Sequence, residues 1–211
     1  MSLTEQLKAY ADQSAQKIPA EAQVIMKKAI DDLSDSDILK NAHKTGDILP
    51  DISLPNAKGD TIHLKEELKK GTLVIVFYRG GWCPYCNIEL KALQAALPKI
   101  KMKGAQLIAI TPETPDNSLS TQEKNELSFE VLTDNNNAVA RSLGLVYQLP
   151  DELNDLYLQF GINLENSQGN SKHELPIAAT YVVNQNGEIT YHFLQEDYKL
   201  RADPEKILEA L

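Results

Sequence analysis

The chain has 211 residues, 42% hydrophobic and 24% charged, enough for one large domain or for an ordinary domain with an extension. Its formal net charge of −9 excludes a nucleic-acid or anionic-membrane surface, since both want clustered Lys and Arg. Two cysteines exclude a small disulfide framework, and no stretch reaches the roughly 18–20 apolar residues of a membrane span. The first residues carry acid early and lack the continuous apolar segment of a secretory signal, so a reducing cytoplasm is the expected compartment.

Residues 1 to about 45 read as helical. Ser2 and Glu5 have capping-box spacing, and Leu3, Leu7, Tyr10 and Ala11 recur at helical intervals. Pro19 suits the first turn of a second helix, striped by Ile25, Met26, Ile30 and Leu33. This segment is expected to pack as an extension on a main domain at 46–211, or to form the contact of a homodimer.

From Gly46 the pattern changes. Asp51–Pro55 and Thr61–Leu64 flank the turn Asn56-Ala57-Lys58-Gly59 as a small hairpin. Leu73–Tyr78 is a near-continuous apolar run, as in a central strand buried on both faces. Cys83 to about Met102 is helical, with Ile88, Leu93, Leu97 and Ile100 on one stripe, and Gly104 ends it. Leu107–Ile110 is a second buried strand. Ser118–Leu127 is predicted helical, Phe129–Leu132 extended, and Asp134–Leu143 and Pro150–Phe160 helical. The polar stretch from Ile162 to Leu175 reads as a surface loop or lid. Ala179–Val183 and Glu188–Phe193 form a hairpin around Asn186-Gly187, and Pro204 starts a last helix. Strands alternating with helices, then a hairpin and a terminal helix, describe a thioredoxin-like α/β sandwich: a central mixed β-sheet flanked by helices.

Chemistry concentrates in Trp82-Cys83-Pro84-Tyr85-Cys86, at the junction of the apolar run and the long helix. The reactive form of cysteine is the thiolate, which a helix N-terminus favours through its unpaired N–H groups and positive dipole end. Cys83 and Cys86 lie one turn apart and can close a disulfide. Pro84 fits the first turn, where its missing N–H costs nothing. The expected thiolate pKa falls within ~3.5–7.5. In such a geometry the first cysteine is the exposed attacker and the second the buried resolver. Zinc would need two further ligands, and His43, His63, His173 and His192 are scattered. Trp82 is expected to cover the sulfurs and meet partners. Glu89 and Lys91 read as ordinary helix surface, and His63 and His192 as strand-end residues.

The Trp-Cys-Pro-Tyr-Cys turn resembles the active-site turn of thioredoxin-fold proteins, and Cys-Pro-Tyr-Cys is the choice of glutaredoxins. The surroundings resemble peroxiredoxins of the alkyl hydroperoxide reductase/thiol-specific antioxidant family. The likeness is carried by Gly46–Pro55 with Gly59, by Val76-Phe77-Tyr78, by Leu132-Thr133-Asp134 through Val139-Ala140 to Gly144, and by Cys86-Asn87-Ile88-Glu89-Leu90. It covers about residues 46 to 211 and resembles the branch with a Cys-x-x-Cys in the active site.

Where that family has proline and threonine before its peroxidatic cysteine, this chain has Arg79 and Cys83. Near Ala178, where the family's peroxide-binding arginine is sought, there is none. Arg79 reads as a solvated strand-end residue or as a partial replacement for those donors.

The resemblance implies a thiol-dependent oxidoreductase that cycles a Cys83/Cys86 dithiol and disulfide, with a hydroperoxide or a protein disulfide as substrate. It implies thioredoxin or glutathione as reductant and no bound cofactor. Within it the order can reverse, with Cys86 attacking peroxide and Cys83 resolving. A non-enzymatic redox sensor or interaction protein using the same fold is the alternative.

Overall fold

The computed structural model describes residues 1–211. The extension forms α1 (Leu3–Ala15), α2 (Ala20–Ser34) and α3 (Ile38–Asn41). The capping box is present: Glu5 N–H donates to Ser2 Oγ at 3.2 Å, and Ser2 N–H donates to the Glu5 carboxylate at 2.8 Å. A small hairpin of β1 (Ser53–Pro55) and β2 (Thr61–His63) runs into α4 (Leu64–Lys70). The sequence pattern reads Leu64 as strand and leaves α4 unseen. Only Leu64 and Leu68 anchor those seven residues, too short an apolar repeat to stand out.

The rest of the chain follows as β3 (Thr72–Phe77), α5 (Pro84–Met102), β4 (Ala105–Thr111), α6 (Pro115–Lys124) and β5 (Glu130–Thr133). A 3-10 turn leads to α7 (Ala138–Ser142), β6 (Val146–Gln148), α8 (Asp151–Gln159), α9 (Leu164–Gln168) and β7 (Glu174–Pro176). The chain closes with β8 (Ala178–Val183), β9 (Ile189–Gln195) and α10 (Pro204–Glu209).

Five strands make the central mixed sheet in the order β5-β4-β3-β8-β9. β3 pairs in parallel with β4 and antiparallel with β8, so it sits at the centre. Its alternate residues serve two cores, which is why the run reads as continuously apolar. Val74, Val76 and Tyr78 face the core under α1, α5 and α10. Leu73, Ile75 and Phe77 face the core that includes Leu64, Leu68, Ala140 and Leu143.

The stretch 162–175 is not an open loop. Asn163 caps α9 by accepting from Asn166 N–H at 2.9 Å, Gly169 ends it in a left-handed conformation, and β7 pairs with β6. Leu164, Ser167, Gln168 and Leu175 are buried. The polar composition hides widely spaced apolar anchors whose partners lie on α2 and α8.

The extension packs on the main domain. Leu3 and Leu7 enter the core beneath α5, whereas Ala22 joins the cluster around α8. α1 and α2 are therefore fastened to different parts of the structure, and a space opens between them.

Candidate functional site

The site is built where β3 gives way to α5. Tyr78 and Arg79 continue the strand direction, and Gly80-Gly81 turn the chain toward the helix. Neither glycine has room for a side chain. A Cβ at Gly80 would lie 2.3 Å from Trp82 Nε1, and one at Gly81 would lie 2.0 Å from Thr121 Oγ1. The turn is clamped from several sides. Gly81 N–H donates to Glu113 Oε2 at 2.8 Å, and Asn87 Nδ2 donates to the carbonyls of Gly81 and Cys83 at 2.8 and 3.1 Å. Ser167 Oγ on α9 donates to the other Glu113 oxygen at 3.0 Å. Burial raises the Glu113 pKa above the usual carboxylate range, against the hydrogen bonds from Gly81 and Ser167.

Cys83 is the N-cap of α5, Pro84 opens its first turn, and Cys86 lies one turn in. Both thiols are free. The expectation of an exposed first cysteine is corrected: Cys83 is only 2% exposed, and Cys86 is fully buried. The difference between them is direction. Cys83 lines a cavity of about 870 Å³ together with Arg79, Trp82 and Tyr157, and Cys86 does not.

The two sulfurs also differ in charge preference. Burial pushes the Cys83 thiol up, but the hydrogen bond from Cys86 and the charges of Arg79 and Arg201 outweigh it, so its pKa is lowered. Burial, with the Cys83 thiolate beside it, raises Cys86 well above the usual thiol range. The pair thus holds one negative charge, on the sulfur that faces the cavity.

Arg79 is not a solvated strand-end residue. It is 1% exposed, donates to Tyr157 Oη, and lies 5.0 Å from the Trp82 ring centroid and 4.6 Å from that of Tyr198. No carboxylate pairs with it, and its Nε has no hydrogen-bond partner. Burial opposes its charge, and the surrounding tyrosines and cysteines more than offset this. Trp82 is half-buried, tilted against Tyr157 with centroids 5.6 Å apart, and its Nε1 also lacks a partner. Pro84 is exposed at the helix start.

Glu89 was expected on the helix surface and is instead 1% exposed. Arg201, from the segment between β9 and α10, donates through Nε to its carboxylate at 2.5 Å. The same guanidinium donates through NH2 to Cys86 Sγ at 3.2 Å and through NH1 to the carbonyls of Tyr198 and Leu200. Burial raises Glu89 to about 7, although Arg201 pulls it down. Arg201 itself is held above its ordinary value, chiefly by Glu89 against the penalty of burial. As Glu89 ionises around neutral pH, Arg201 is the cation that pairs with its carboxylate. An arginine does reach the sulfurs, but from position 201 and not from the neighbourhood of Ala178, which is a buried start of β8. The signal available in sequence was faint: Arg201 is one of only three arginines, with Arg79 and Arg141.

His63 and His192 stay apart from the sulfurs, one contacting Ser53 and the other Thr45. No three His, Cys, Asp or Glu side chains converge as a metal site.

Residues 45–192 match the profile of the AhpC/TSA family. The peroxiredoxin Bcp of Escherichia coli (strain K12) is 27% identical over 105 residues, which are 50% of this chain and 67% of that one. Among the curated relatives matched first, the aligned stretch spans 64% to 67% of their length. The fold is similar to that of peroxidoxin BcpB from Mycobacterium tuberculosis, with a TM-score of 0.62 at 19% identity over 79% of this chain and 95% of that one. It is also similar to the bacterioferritin comigratory protein of Xanthomonas campestris, a protein with alkyl peroxide reduction activity, with a TM-score of 0.61 at 15% identity over 80% of this chain and 96% of that one.

Proposed function

This chain belongs to the AhpC/TSA family, and from that premise we propose that it is a thiol-dependent peroxidase in which Cys83 attacks and Cys86 resolves. The observation that carries the order is the placement of the sulfurs: the cysteine at the helix N-cap lines the cavity and favours the thiolate, and its neighbour is sealed beneath it. The peroxide substrate follows from the family and from its relatives, among them a protein with alkyl peroxide reduction activity.

The Cys83 thiolate attacks the terminal peroxide oxygen. An S–O bond forms, the O–O bond breaks, and the alkoxide leaves with a proton from solvent as the alcohol. Sulfur is oxidised to the sulfenic acid. Arg79 lines the same cavity and carries a permanent charge, suited to the negative charge that grows on the leaving oxygen. The Cys86 thiol then attacks the Cys83 sulfur. An S–S bond forms, and hydroxide leaves with the Cys86 proton as water. Thioredoxin or glutathione returns two electrons by thiol–disulfide exchange. A cytoplasmic setting belongs to the same proposal, since a catalytic dithiol is kept reducible there.

A second order has its own support. Cys86 receives the Arg201 hydrogen bond and occupies the Cys-x-x-Glu-Leu position, which favours an order in which Cys86 would attack and Cys83 resolve. Single-turnover peroxide consumption with dimedone trapping separates the two. In the proposed order Cys86→Ser consumes one equivalent and is labelled at Cys83, and Cys83→Ser is inert. The opposite pattern establishes the second order. If both variants are inert toward every peroxide, the peroxidase reading fails.

A further inference from the structure

We propose that the Cys83 thiolate is the counterion of Arg79, and that disulfide formation turns the cavity beside Arg79 into a binding site for a small carboxylate. The site rests on the proposed dithiol–disulfide cycle of Cys83 and Cys86, not on peroxide as the oxidant.

A guanidinium removed from water needs an anion beside it or a full set of hydrogen bonds. Arg79 is buried and has no carboxylate: the arginine ion pairs of this chain join Arg141 to Glu174 and Arg201 to Glu89. Its hydrogen bonding is also incomplete. Nη2 donates to Tyr157 Oη, Nε is sealed without a partner, and Nη1 has neither a protein acceptor nor a sealed position. Trp82, Tyr157 and Tyr198 surround the cation with rings, which attract it but carry no net charge. The anion that remains is the thiolate of Cys83. It lines the same cavity, and the two charges attract each other there.

Oxidation removes that anion. Two electrons leave the sulfurs, an S–S bond forms, and the pair goes from one negative charge to none. With a peroxide as oxidant those electrons break the O–O bond; the Cys86 proton leaves in water and one solvent proton in the alcohol. Arg79 stays charged and buried. Arg201 is not stranded in the same way, because Glu89 still pairs with it. The other cations of the cavity are held as well, Lys27 by Asp31 and Lys199 by Asp197 at 3.5 Å. Asp12, the remaining acid of the lining, is exposed and stands 3.8 Å from Lys8. An entering anion is therefore drawn to Arg79. A carboxylate suits it, as a charged acceptor for Nη1 on a body small enough for a cavity of about 870 Å³. In the reduced protein the thiolate repels the same group.

Trp82 is the single tryptophan of the chain and lies against Arg79, so its emission reads occupancy. The reduced protein and the protein oxidised with diamide are each titrated with sodium acetate, and free thiols are counted in both. Acetate is expected to bind the oxidised form at least about tenfold more tightly, the factor that corresponds to one unit of thiol pKa. By reciprocity, saturating acetate makes the disulfide harder to reduce with dithiothreitol by the same factor. Arg79→Met, titrated at the same salt as the control for ionic strength, is expected to lose both responses. Without acetate it should favour the disulfide at least about tenfold over the wild type. Cys83→Ser removes the thiolate without oxidation and is expected to bind acetate as the oxidised protein does. The ratio of reduction rates with 3-mercaptopropionate and 2-mercaptoethanol names the source of the carboxylate. A ratio that falls in Arg79→Met supports the site and places the carboxylate on the reductant; an unchanged ratio beside selective acetate binding supports it as a site for a free anion. Equal acetate affinity in the two redox states, or a disulfide equilibrium indifferent to acetate, overturns the proposal. So does an Arg79→Met protein that responds like the wild type. Acetate binding by Cys83→Ser when diamide yields no disulfide supports the site and defeats the dithiol–disulfide reading. A disulfide that forms without acetate selectivity does the reverse.

Discussion

Replacing Arg201 by methionine tests the buried charge network most directly. The substitution keeps much of the side-chain length and removes the donor 3.2 Å from Cys86 Sγ and the cation 2.5 Å from Glu89. Deleting one partner of a buried ion pair costs about 3–5 kcal/mol, because the other charge is left uncompensated. Glu89 can avoid part of that cost by taking up a proton, since burial already holds it at about 7 and Arg201 is what pulls it down. In the wild-type protein the folded value lies above the ordinary 4.5. The contribution of Glu89 is therefore full below pH 4.5 and is lost as the pH rises toward 7, after which it is flat. Without Arg201 the folded value rises further, so the loss continues above pH 7 at up to about 1.4 kcal/mol per pH unit. The expected deficit is about 3 kcal/mol at pH 7 and nearer 5 by pH 8.5. Urea unfolding under reducing conditions at pH 6, 7, 8 and 9 measures it. Adding Glu89→Gln to Arg201→Met should remove the pH dependence. A deficit below about 1 kcal/mol that is flat from pH 6 to 9 refutes the reasoning, since a buried pair cannot be broken so cheaply.

Arg79→Met removes a charge that lowers the Cys83 thiol. The thiolate absorbance at 240 nm should titrate at least about one unit higher, and iodoacetamide alkylation at pH 7 should slow about tenfold. In the wild-type protein, alkylation of Cys83 should stay fast below the free-thiol pKa of about 8.5 and fall only as the pH drops through its lowered value; a profile matching a free thiol counts against the site. Gly80→Ala drives a methyl group against Trp82 Nε1 and should shift the Trp82 emission at a cost of about 1–3 kcal/mol in urea unfolding. Glu113→Gln weakens the acceptor for Gly81 N–H and Ser167 Oγ and should cost about 1.5–3 kcal/mol, with slower disulfide formation between Cys83 and Cys86 in a stopped-flow assay.

The sequence by itself determined the elements whose pattern is local. The run Leu73–Tyr78 read as a central strand because both its faces are buried, so no polar residue interrupts it. The α1 capping box and the Asn-Gly hairpin depend on residues a few positions apart, and both stand where the spacing put them. The redox turn was legible for the same reason: Cys83, Pro84 and Cys86 lie within one helical turn, and helix geometry places them.

Glu89 shows what was not legible. It shares a face with Cys86, Leu90 and Leu93, yet a carboxylate on that face reads as an error or as surface. Its burial is allowed only by Arg201, 112 residues away, and desolvating either charge alone would be prohibitive. Arg79 is similar, since its cage is assembled from Trp82, Tyr157 and Tyr198 on three separate stretches of chain. The short helix α9 also waited on tertiary contacts, because Ser167 earns its burial by bonding to Glu113. Spacing along one strand or helix determined that this protein carries a dithiol at a helix start. Only the packing of distant segments decided which sulfur faces the cavity, which arginine reaches the pair, and what stands across from it, because compensating a buried charge and enclosing a cavity both need partners that no local pattern contains.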